Sequence, residues 1–479
     1  MLKDVKTRYA PSPTGYMHIG NLRTALYEYL IAKINNGKFI LRIEDTDQER
    51  LVEDSVQVIF NTLKLVGMNY DEGPYYQSER LDIYAPYAHE LVEKGQAYYC
   101  FCSKERLEKL KEEQTGKGEF PHYDNNCRNL TKTEIEEKLR EGLPYVIRQK
   151  MPTEGKTIFE DAVYGQIEVE NSELEDQILL KTDGFPTYNF ANVIDDHLME
   201  ITHVVRGSEY LTSTPKYNLV YQAFGWEIPT YVHLPLILNE NGQKLSKRLG
   251  DKSFEDLLAE GYLVEAVINF IALLGWNPGG EREFFTLKEL ETNFTIEGIS
   301  KSPSVFDKTK LRWMNGEYIR KMSLEEFADL AEEKISSVLG DKLDHKKISA
   351  LLQKRVELIT DIPDIIRFFL ELPEYTLELY NHKKMKTNPE IALESLRLAL
   401  DLLKDLAIED FKEEKLHELL MELAKAKELK NGQLLWPLRV ALTGQEQSPG
   451  GAIELLDIFG QEESLRRIEI GIDKLVREL

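Results

Sequence analysis

Residues 7–21 read TRYAPSPTGYMHIGN, and this stretch decides how the rest of the sequence is interpreted. An extended lead runs into a loop rich in proline and glycine, after which apolar residues recur at helical spacing through Leu22, Leu26 and Leu30. The pattern predicts a strand, a loop and a helix. The N-terminus of such a helix presents backbone N–H groups and the positive end of its dipole, which favour a phosphate. His18 lies where its imidazole could donate a hydrogen bond to a phosphate oxygen.

A second motif, far along the chain, is the loop Asn241-Gly-Gln-Lys-Leu-Ser-Lys-Arg248, which carries three cations around one hydroxyl group. Taken alone, it is more typical of a solvated basic loop on an acidic protein. A single histidine in a His-Ile-Gly tripeptide is likewise more often structural than functional. The two motifs are more informative together than either is alone.

Together, HIGN and KLSKR resemble the two signatures of class I aminoacyl-tRNA synthetases. The segments RYAPSPTGYMHIG, RIEDTD and GFPTYNFANVIDDH narrow the resemblance to bacterial glutamyl-tRNA synthetases, and it covers essentially the whole chain. Asn21 replaces the second histidine of the general signature, so this position keeps an amide donor and loses a titratable group. The resemblance implies an ATP-dependent, AMP-forming glutamate–tRNA ligase whose partners are L-glutamate, ATP and tRNA-Glu. It leaves open whether tRNA-Gln is charged as well.

The composition agrees with a protein of several domains. A chain of 479 residues is too long for one ordinary core, and 42% hydrophobic with 30% charged residues is typical of soluble globular proteins. Since no apolar run is long enough to span a bilayer and no signal peptide is recognisable, we expect a cytoplasmic protein without a membrane partner. We also expect a monomer. A net charge of −23 does not exclude RNA, because phosphate contacts require only a local cationic stripe.

Strands and helices alternate in the first half of the chain, which predicts a parallel sheet. We expect buried strands at 38–44, 178–180, 201–205 and 231–238. Gly37 is expected to end the first helix, and Asp47 to cap the helix that runs through Val56, Ile59 and Leu63. Beyond about residue 251 the strand signal fades. The chain then reads as successive helices, such as 323–339 with its Ser323/Glu326 capping box.

The expected fold is therefore α/β, and the resemblance supplies the names of its parts. A Rossmann-type parallel-sheet catalytic domain would be interrupted by an inserted α+β domain that binds the acceptor end of tRNA. A stem-contact domain and all-α anticodon-binding domains would follow. The expected boundaries are 1–98 and 187–250 for the catalytic halves, 99–186 for the insertion, 251–318 for the stem-contact domain, and 319–380 and 381–479 for the helical anticodon-binding subdomains.

Activation of an amino acid brings its carboxylate to the α-phosphorus of ATP, so two anions must meet. The main task of the enzyme is then positioning and charge neutralisation. His18 and the helix N-terminus at Asn21 are expected to hold one side of the triphosphate while Lys244 and Lys247 close over the other, with Mg²⁺ accompanying the nucleotide. The catalytic residues would be His18, Lys244 and Lys247, and the resemblance adds Gly20 and Glu209 to the ATP site together with Asn21.

Recognition of glutamate requires a counter-charge for its γ-carboxylate, and a guanidinium binds a carboxylate in bidentate fashion. Arg8 and Arg206 lie at the ends of predicted strands beside the expected pocket, although surface salt bridges are the alternative for any arginine. By resemblance these arginines read glutamate. The remaining contacts would come from Tyr188 as a hydroxyl donor, Glu44 for the α-amino group, and Ser12 and Asn192 for the other backbone groups of the amino acid.

Three cysteines fall in one part of the predicted insertion. An odd number argues against a disulfide framework, and Cys100-x-Cys102 followed by Tyr123-x-x-x-Cys127 could form a tetrahedral zinc site. Buried free thiols are the alternative. The fourth ligand stays open, with Tyr123 ahead of His122.

Anticodon recognition is expected in the helical C-terminal region. Unpaired bases can be read by arginine stacking and by hydrogen bonds to their exposed edges. The segment from Trp436 through Arg439 to the turn Ser448-Pro449-Gly450 matches the family's anticodon-contacting segment, and Arg355 is a weaker candidate. Arg439 could alternatively be an ordinary surface arginine.

Three other functions compete with glutamate ligation. A short relative that glutamylates a modified tRNA base lacks an anticodon-binding part, whereas this chain is expected to have one. Glutaminyl-tRNA synthetases end in β-barrels, whereas the last third of this chain reads as helical. A non-enzymatic tRNA-binding paralogue would have lost the KLSKR motif or the pocket residues, and the sequence retains both.

Overall fold

The structure, a computed structural model, describes residues 4–13, 15, 17–47, 52, 54–245 and 252–478. The chain divides into two compact units. The first comprises Met1–Leu258 with Val264–Lys308, and the second comprises Ala259–Leu263 with Thr309–Leu479. The first unit mixes strands and helices, and the second is helical. The finer division into six parts stays a prediction.

The described strands all belong to the first unit. They are β1 (Lys6–Tyr9), β2 (Lys38–Ile43), β3 (Glu72–Tyr76), β4 (Ala97–Cys100), β5 (Val146–Gln149), β6 (Lys156–Asp161), β7 (Gly165–Glu170), β8 (Ile178–Leu180), β9 (His203–Gly207), β10 (Thr230–Leu234), β11 (Ile237–Leu238) and β12 (Ser304–Val305).

The α-helices run through both units. They are α1 (Ile19–Ile34), α2 (Ser55–Val66), α3 (Leu81–Glu93), α4 (Lys104–Gly116), α5 (Lys132–Arg140), α6 (Tyr188–Leu198), α7 (Thr214–Phe224), α8 (Phe254–Ala259), α9 (Val264–Leu273), α10 (Leu287–Asn293), α11 (Lys308–Lys321), α12 (Leu324–Leu339), α13 (His345–Leu352), α14 (Ile362–Leu370), α15 (Pro389–Lys404), α16 (Glu413–Ala426), α17 (Asn431–Thr443) and α18 (Ala452–Glu478). None of these described helices combines the length and the apolar character that a bilayer crossing requires.

The sheet that positions the site is largely parallel. Strands β1, β2 and β3 pair in that order, and β10 lies parallel to both β6 and β9 in a second group ordered β7-β6-β10-β9. The Thr202 N–H donates to the Lys6 carbonyl at 3.0 Å, which joins the two groups beside β1 and β9. Carboxyl ends of parallel strands gather ligand-binding residues at one edge. The predicted α/β class is confirmed.

One strand was assigned to the wrong sheet. The sequence predicts residues 178–180 as part of the parallel alternation, but β8 pairs antiparallel with β5 in a separate sheet ordered β4-β5-β8. The reason is that a short apolar run predicts a buried strand without identifying its partner. Leu179 and Leu180 are buried in the cluster formed with Tyr84 and Phe190.

Gly37 does not end the first helix. Helix α1 stops at Ile34 with Asn35 as its C-cap, and the left-handed residue that follows is Asn36, with φ +50°. A Cβ on Gly37 would lie 2.1 Å from the carbonyl oxygen of Val5. The glycine therefore allows the close approach of two backbones that brings β2 against β1.

Asp47 is not the cap of the second helix. Helix α2 begins at Ser55, and its N-cap is Asp54. The Ser55 N–H and hydroxyl both donate to the Val52 carbonyl, at 3.2 and 2.7 Å, so a tight turn precedes the helix. Apolar periodicity identified the helix correctly but did not locate its first residue.

The helical unit is built as predicted around amphipathic helices. The Ser323/Glu326 capping box begins α12, and the inner face of that helix is fully buried. Arg467 is also completely buried, where its Nη1 donates to the carbonyls of Phe368 at 2.8 Å and Leu442 at 2.7 Å. These carbonyls belong to the last turns of α14 and α17, so one guanidinium satisfies the C-terminal ends of two helices.

Candidate active site

A cavity of about 700 Å³ opens at the N-terminus of α1 in the first unit. Most of the residues that the sequence predicts for glutamate and ATP line it, namely Arg8, Ser12, His18, Gly20, Asn21, Glu44, Tyr188, Arg206, Glu209 and Lys244. Asn192 is buried beside them, with its Oδ1 3.5 Å from Nη2 of Arg8. Lys247 lies outside the described residues.

His18 caps the helix that borders the cavity. Its Nδ1 accepts a hydrogen bond from the Gly20 N–H at 3.0 Å, and its backbone carbonyl accepts from Leu22. Because Nδ1 is the acceptor, the proton of the neutral imidazole resides on Nε2. The ring is thus held in the tautomer that donates from Nε2, next to the positive end of the helix dipole.

A buried ionic network lies beneath the cavity. Arg8 donates from Nε to Asp196 and from Nη1 to Glu28, both at 2.9 Å. Arg42 donates from Nη1 to the same Asp196 at 2.8 Å and from Nη2 to Glu44 at 3.2 Å. Burial alone would lower the pKa of Arg8, but Asp196 and Glu28 outweigh it and raise that pKa. The charge of Arg8 is therefore already balanced within the protein.

Glu44 is poised to accept a cation from the cavity. Its Oε1 accepts a hydrogen bond from Nη2 of Arg42, and its Oε2 is buried without a hydrogen-bond partner among the described residues. Burial raises the pKa of Glu44 to about 7, against the opposing effects of Arg42 and Arg8. An ammonium group in the cavity would satisfy this oxygen and favour the charged carboxylate.

Arg206 is the opposite case, a buried cation whose hydrogen-bond partners among the described residues are neutral groups. Its Nε donates to Nε2 of His233 at 3.1 Å, and its Nη2 donates to the Thr214 hydroxyl at 2.6 Å. Three aromatic rings lie within 4.5 to 5.3 Å of the guanidinium carbon, those of Tyr210, Tyr217 and Tyr231. Across the described ranges no carboxylate forms an ion pair with Arg206. A buried guanidinium of this kind is suited to an anionic ligand.

Tyr188 supplies a neutral hydroxyl to the same wall. Burial, and then Glu44, raise its pKa well above the ordinary value, so its proton stays available for donation. On the other side of the cavity Lys244 pairs with Glu209 at 2.9 Å. Burial would raise the pKa of Glu209, but the hydrogen bond and charge of Lys244, together with a backbone hydrogen bond and the charge of Arg23, outweigh burial and lower that pKa.

The three cysteines form a compact cluster. The sulfurs of Cys100, Cys102 and Cys127 lie within 4.8 Å of one another, and the Tyr123 hydroxyl is 3.3 Å from the first and 3.6 Å from the second. A hydrogen bond from Cys127 lowers the pKa of Cys100 to about 4, despite burial. His122 instead contacts Gln114 and the backbone carbonyl of Phe120.

The predicted anticodon residues meet in the second unit. Arg439 donates to the Ser448 hydroxyl at 3.0 Å and to the Glu446 carbonyl at 2.6 Å, and its guanidinium stacks 4.3 Å from the Trp436 ring. Arg355 donates to the Pro449 carbonyl at 3.0 Å. Both arginines thus hold the loop that contains Glu446, Ser448 and Pro449. Burial and the neighbouring Arg355 lower the pKa of Arg439.

Sequence reasoning missed the residues that hold the predicted arginines in place. Arg42 and His233 each interrupt an apolar strand, which is the signal that could have revealed them. Thr214 and Glu28 carry no such signal, because hydroxyls and glutamates are common in helices. The missed residues are Glu28, Arg42, Asp161, Asp196, Thr214 and His233.

Comparison with known proteins covers nearly the entire chain. The model for the catalytic domain of class I tRNA synthetases (E and Q) matches residues 4–313, and that for an anticodon binding domain matches residues 322–472. Glutamate–tRNA ligases of Clostridium novyi (strain NT) and Clostridium botulinum (strain Hall) are 59% and 58% identical to it. These matches include 99% of this chain and 98% and 99% of theirs.

Solved structures agree with this assignment. The crystal structure of a glutamate tRNA ligase from Elizabethkingia meningosepticum, in complex with its amino acid, has a TM-score of 0.88 and 36% identity over 99% of this chain and 100% of that one. The glutamate–tRNA synthetase of Elizabethkingia anophelis has a TM-score of 0.89 and 36% identity, covering 98% and 100% of the two chains. This chain therefore belongs to the glutamate–tRNA ligases of the class I tRNA synthetases.

Proposed function

We propose that this protein activates L-glutamate with ATP in the cavity at the N-terminus of α1 and transfers the glutamyl group to the terminal adenosine of tRNA-Glu. The observation that carries the proposal is a pair of buried groups of opposite charge that line one cavity. Within the described part of the chain, Arg206 has no carboxylate partner and one oxygen of Glu44 has no hydrogen-bond donor. An amino acid with an ammonium group and a side-chain carboxylate would satisfy both.

The binding roles follow from this arrangement. Arg206 would bind the γ-carboxylate, with Tyr188 as a further donor, and Glu44 would bind the α-ammonium group. Arg8, whose charge Asp196 and Glu28 already balance, would contribute its remaining N–H groups rather than a free charge. Ser12 and Asn192 would complete the contacts to the amino acid.

The activation step requires neutralisation of charge more than proton transfer. The carboxylate of glutamate attacks the α-phosphorus of ATP, and pyrophosphate leaves. The Nε2 proton of His18 and the N-terminal end of α1 at Asn21 are suited to phosphate oxygens, with the Gly20 N–H holding the His18 ring in place. Lys244 would exchange Glu209 for the phosphates. Lys247 would act with Lys244. Mg²⁺ would enter with the nucleotide and neutralise part of its charge.

We assign zinc binding to the cysteine cluster. Ligand atoms of a tetrahedral zinc–thiolate site lie about 2.3 Å from the metal, and hence about 3.8 Å from one another. The Cys102 and Cys127 sulfurs are 3.6 Å apart, and the Tyr123 hydroxyl is at similar distances from Cys100 and Cys102. Three sulfurs and one phenol therefore fit the ion, which would cross-link the insertion.

The remaining assignments concern tRNA. The insertion at 99–186 would bind the acceptor end, 251–318 the stem, and the two helical subdomains the anticodon through Arg355, Arg439, Ser448 and Pro449. We further propose that the protein is cytoplasmic and monomeric.

The substitution Arg206→Gln tests the central assignment. Removing the guanidinium leaves the γ-carboxylate unpaired in a desolvated pocket, which costs about 3–5 kcal/mol. The kcat/KM for glutamate should fall by roughly two to three orders of magnitude, whereas that for glutamine changes little. The control is Arg282→Gln, which removes an exposed ion pair with Glu289. Equal losses for both amino acids would refute the role of Arg206.

Glutamate binding should depend on pH through Glu44. The pKa of Glu44 is raised to about 7, so the carboxylate that pairs with ammonium is present above pH 7 and is lost as pH falls below it. The dissociation constant for glutamate should rise about tenfold per pH unit below 7. Calorimetry from pH 5.5 to 8.5 would measure it, with Glu44→Gln giving weak binding and a flat profile. Wild-type affinity that is equal at pH 6 and pH 8 would argue against the assignment.

Zinc should copurify at about one ion per chain. Elemental analysis of protein prepared without chelator measures it, and Cys127→Ser should abolish retention because a thiolate ligand is lost. Tyr123→Phe tests the fourth position and should weaken retention without abolishing it. Metal content near zero, with all three thiols freely titratable, would reject the site.

Arg439→Ala should weaken aminoacylation of tRNA-Glu and reduce preference for its anticodon. Stacking of a base on such a platform contributes about 1–3 kcal/mol. Aminoacylation with native and altered anticodons is the assay, and Arg397→Ala, at an exposed position of α15, is the matched control. Unchanged kcat/KM and unchanged anticodon preference would show that Arg439 does not read the anticodon.

A further inference from the structure

A chain of buried side chains crosses three neighbouring strands behind Arg206. Asp161 ends β6, His233 lies on β10 and Arg206 on β9, with His233 and Arg206 directly paired in the register of the sheet. The Asp161 carboxylate is 2.6 Å from Nδ1 of His233, and Nε2 of the same ring is 3.1 Å from Nε of Arg206. Asp161 and His233 are 1% and 0% exposed.

Asp161 is held rigidly by the backbone. Its Oδ1 accepts from the N–H groups of Val163 at 3.0 Å and Tyr164 at 2.8 Å. Its Oδ2 accepts from the backbone N–H of His233 at 3.3 Å and faces Nδ1 of the same residue's ring. A carboxylate oxygen can only accept, so Nδ1 of His233 must carry the proton.

The state of His233 follows from this contact. With the proton on Nδ1, Nε2 presents its lone pair to the N–H at Nε of Arg206. Burial lowers the pKa of His233, although the hydrogen bond with Asp161 opposes the change, which agrees with a neutral ring. A proton on Nε2 of His233 would point at the N–H of Arg206 Nε and remove this hydrogen bond.

Thr214 fixes a second edge of Arg206. Its hydroxyl donates to the Tyr210 carbonyl at 2.8 Å and accepts from Nη2 of Arg206 at 2.6 Å. Of the five N–H donors of the guanidinium, two are therefore occupied by protein. Three donors remain on Nη1 and Nη2, which form the edge that binds a carboxylate in bidentate fashion.

We propose that Asp161 and His233 are positioning residues that determine specificity for glutamate, an inference that rests on the proposed role of Arg206. A carboxylate in direct contact with Arg206 would balance its charge, as Glu28 and Asp196 balance that of Arg8. A neutral imidazole instead fixes the plane of the guanidinium and leaves its charge for the ligand. Asp161 contributes by selecting the tautomer that makes this possible.

The nearly isosteric change Asp161→Asn tests the tautomer. The amide oxygen should still accept hydrogen bonds from the backbone N–H groups of Val163 and Tyr164. The amide nitrogen would then face His233 and donate to Nδ1. The proton then moves to Nε2 and opposes Arg206. We expect the KM for glutamate to rise by roughly tenfold or more, since a buried hydrogen bond is lost, with kcat changed by less than about threefold. The ¹⁵N shifts of labelled His233 should report the change of tautomer.

Two variants of His233 separate its contacts. The amide of His233→Gln can reach the position of Nε2 and accept from Arg206, whereas that of His233→Asn can reach only toward Asp161. Discrimination between glutamate and glutamine should be largely retained in His233→Gln and reduced by roughly tenfold in His233→Asn. Thermal unfolding of each variant reports whether the fold is intact. Equal discrimination by two folded variants would overturn the proposal.

A double-mutant cycle with Arg206→Gln distinguishes the positioning role of His233 from the proposed binding role of Arg206. If His233 acts through Arg206, His233→Asn should change discrimination in the wild type and leave it unchanged in the Arg206→Gln background. Additive effects would overturn the positioning role. If Arg206→Gln itself leaves discrimination unaltered, the proposed function of Arg206 fails and this inference falls with it.

Discussion

The placement of a buried positive charge without a negative partner is the constraint on which this structure depends. Transfer of an ion from water to a protein interior is costly, and proteins normally offset the cost by pairing it. Arg206 has a hydroxyl, an imidazole and aromatic rings around it, but no carboxylate in contact within the described chain. The surrounding sheet holds this arrangement in place, and in the proposed function the γ-carboxylate of glutamate supplies the negative charge.

In the neighbouring network, buried arginines are paired with carboxylates of the protein itself. Arg8 and Arg42 share Asp196, and the pKa of that carboxyl is lowered because these two arginines outweigh its burial. Such a network is rigid, and removing one member would leave another charge unpaired. The cavity thus lies above a network of paired charges and is lined by two groups of opposite charge, Arg206 and Glu44.

Much of this could be read from the sequence. The motifs that place His18, Glu44 and Arg206 follow or end strands, and the α/β class and helical C-terminal region follow from apolar periodicity. The sequence could not identify the partner of β8, because a three-residue apolar strand carries no information about its neighbour. It also misjudged Gly37, which allows the close approach of the Val5 carbonyl, and Asp47, because α2 begins only at Ser55, after a turn closed on the Val52 carbonyl.

For a related reason, the residues that hold Arg206 in place could not be predicted from the sequence. The register that sets His233 beside Arg206 joins residues 27 positions apart, and Asp161 comes from a strand 72 positions before His233. Local patterns do not encode such pairings. Only the unusual presence of a histidine or an arginine inside an apolar strand hints that a polar partner lies across the sheet.

We propose that the cavity selects an amino acid by the charge at the end of its side chain. Amino-acid-dependent exchange of pyrophosphate into ATP, measured on the wild-type protein with and without tRNA-Glu, tests it most directly. The account predicts exchange with glutamate and, at equal concentration, exchange with glutamine lower by at least about two orders of magnitude. Comparable exchange with both amino acids would contradict it.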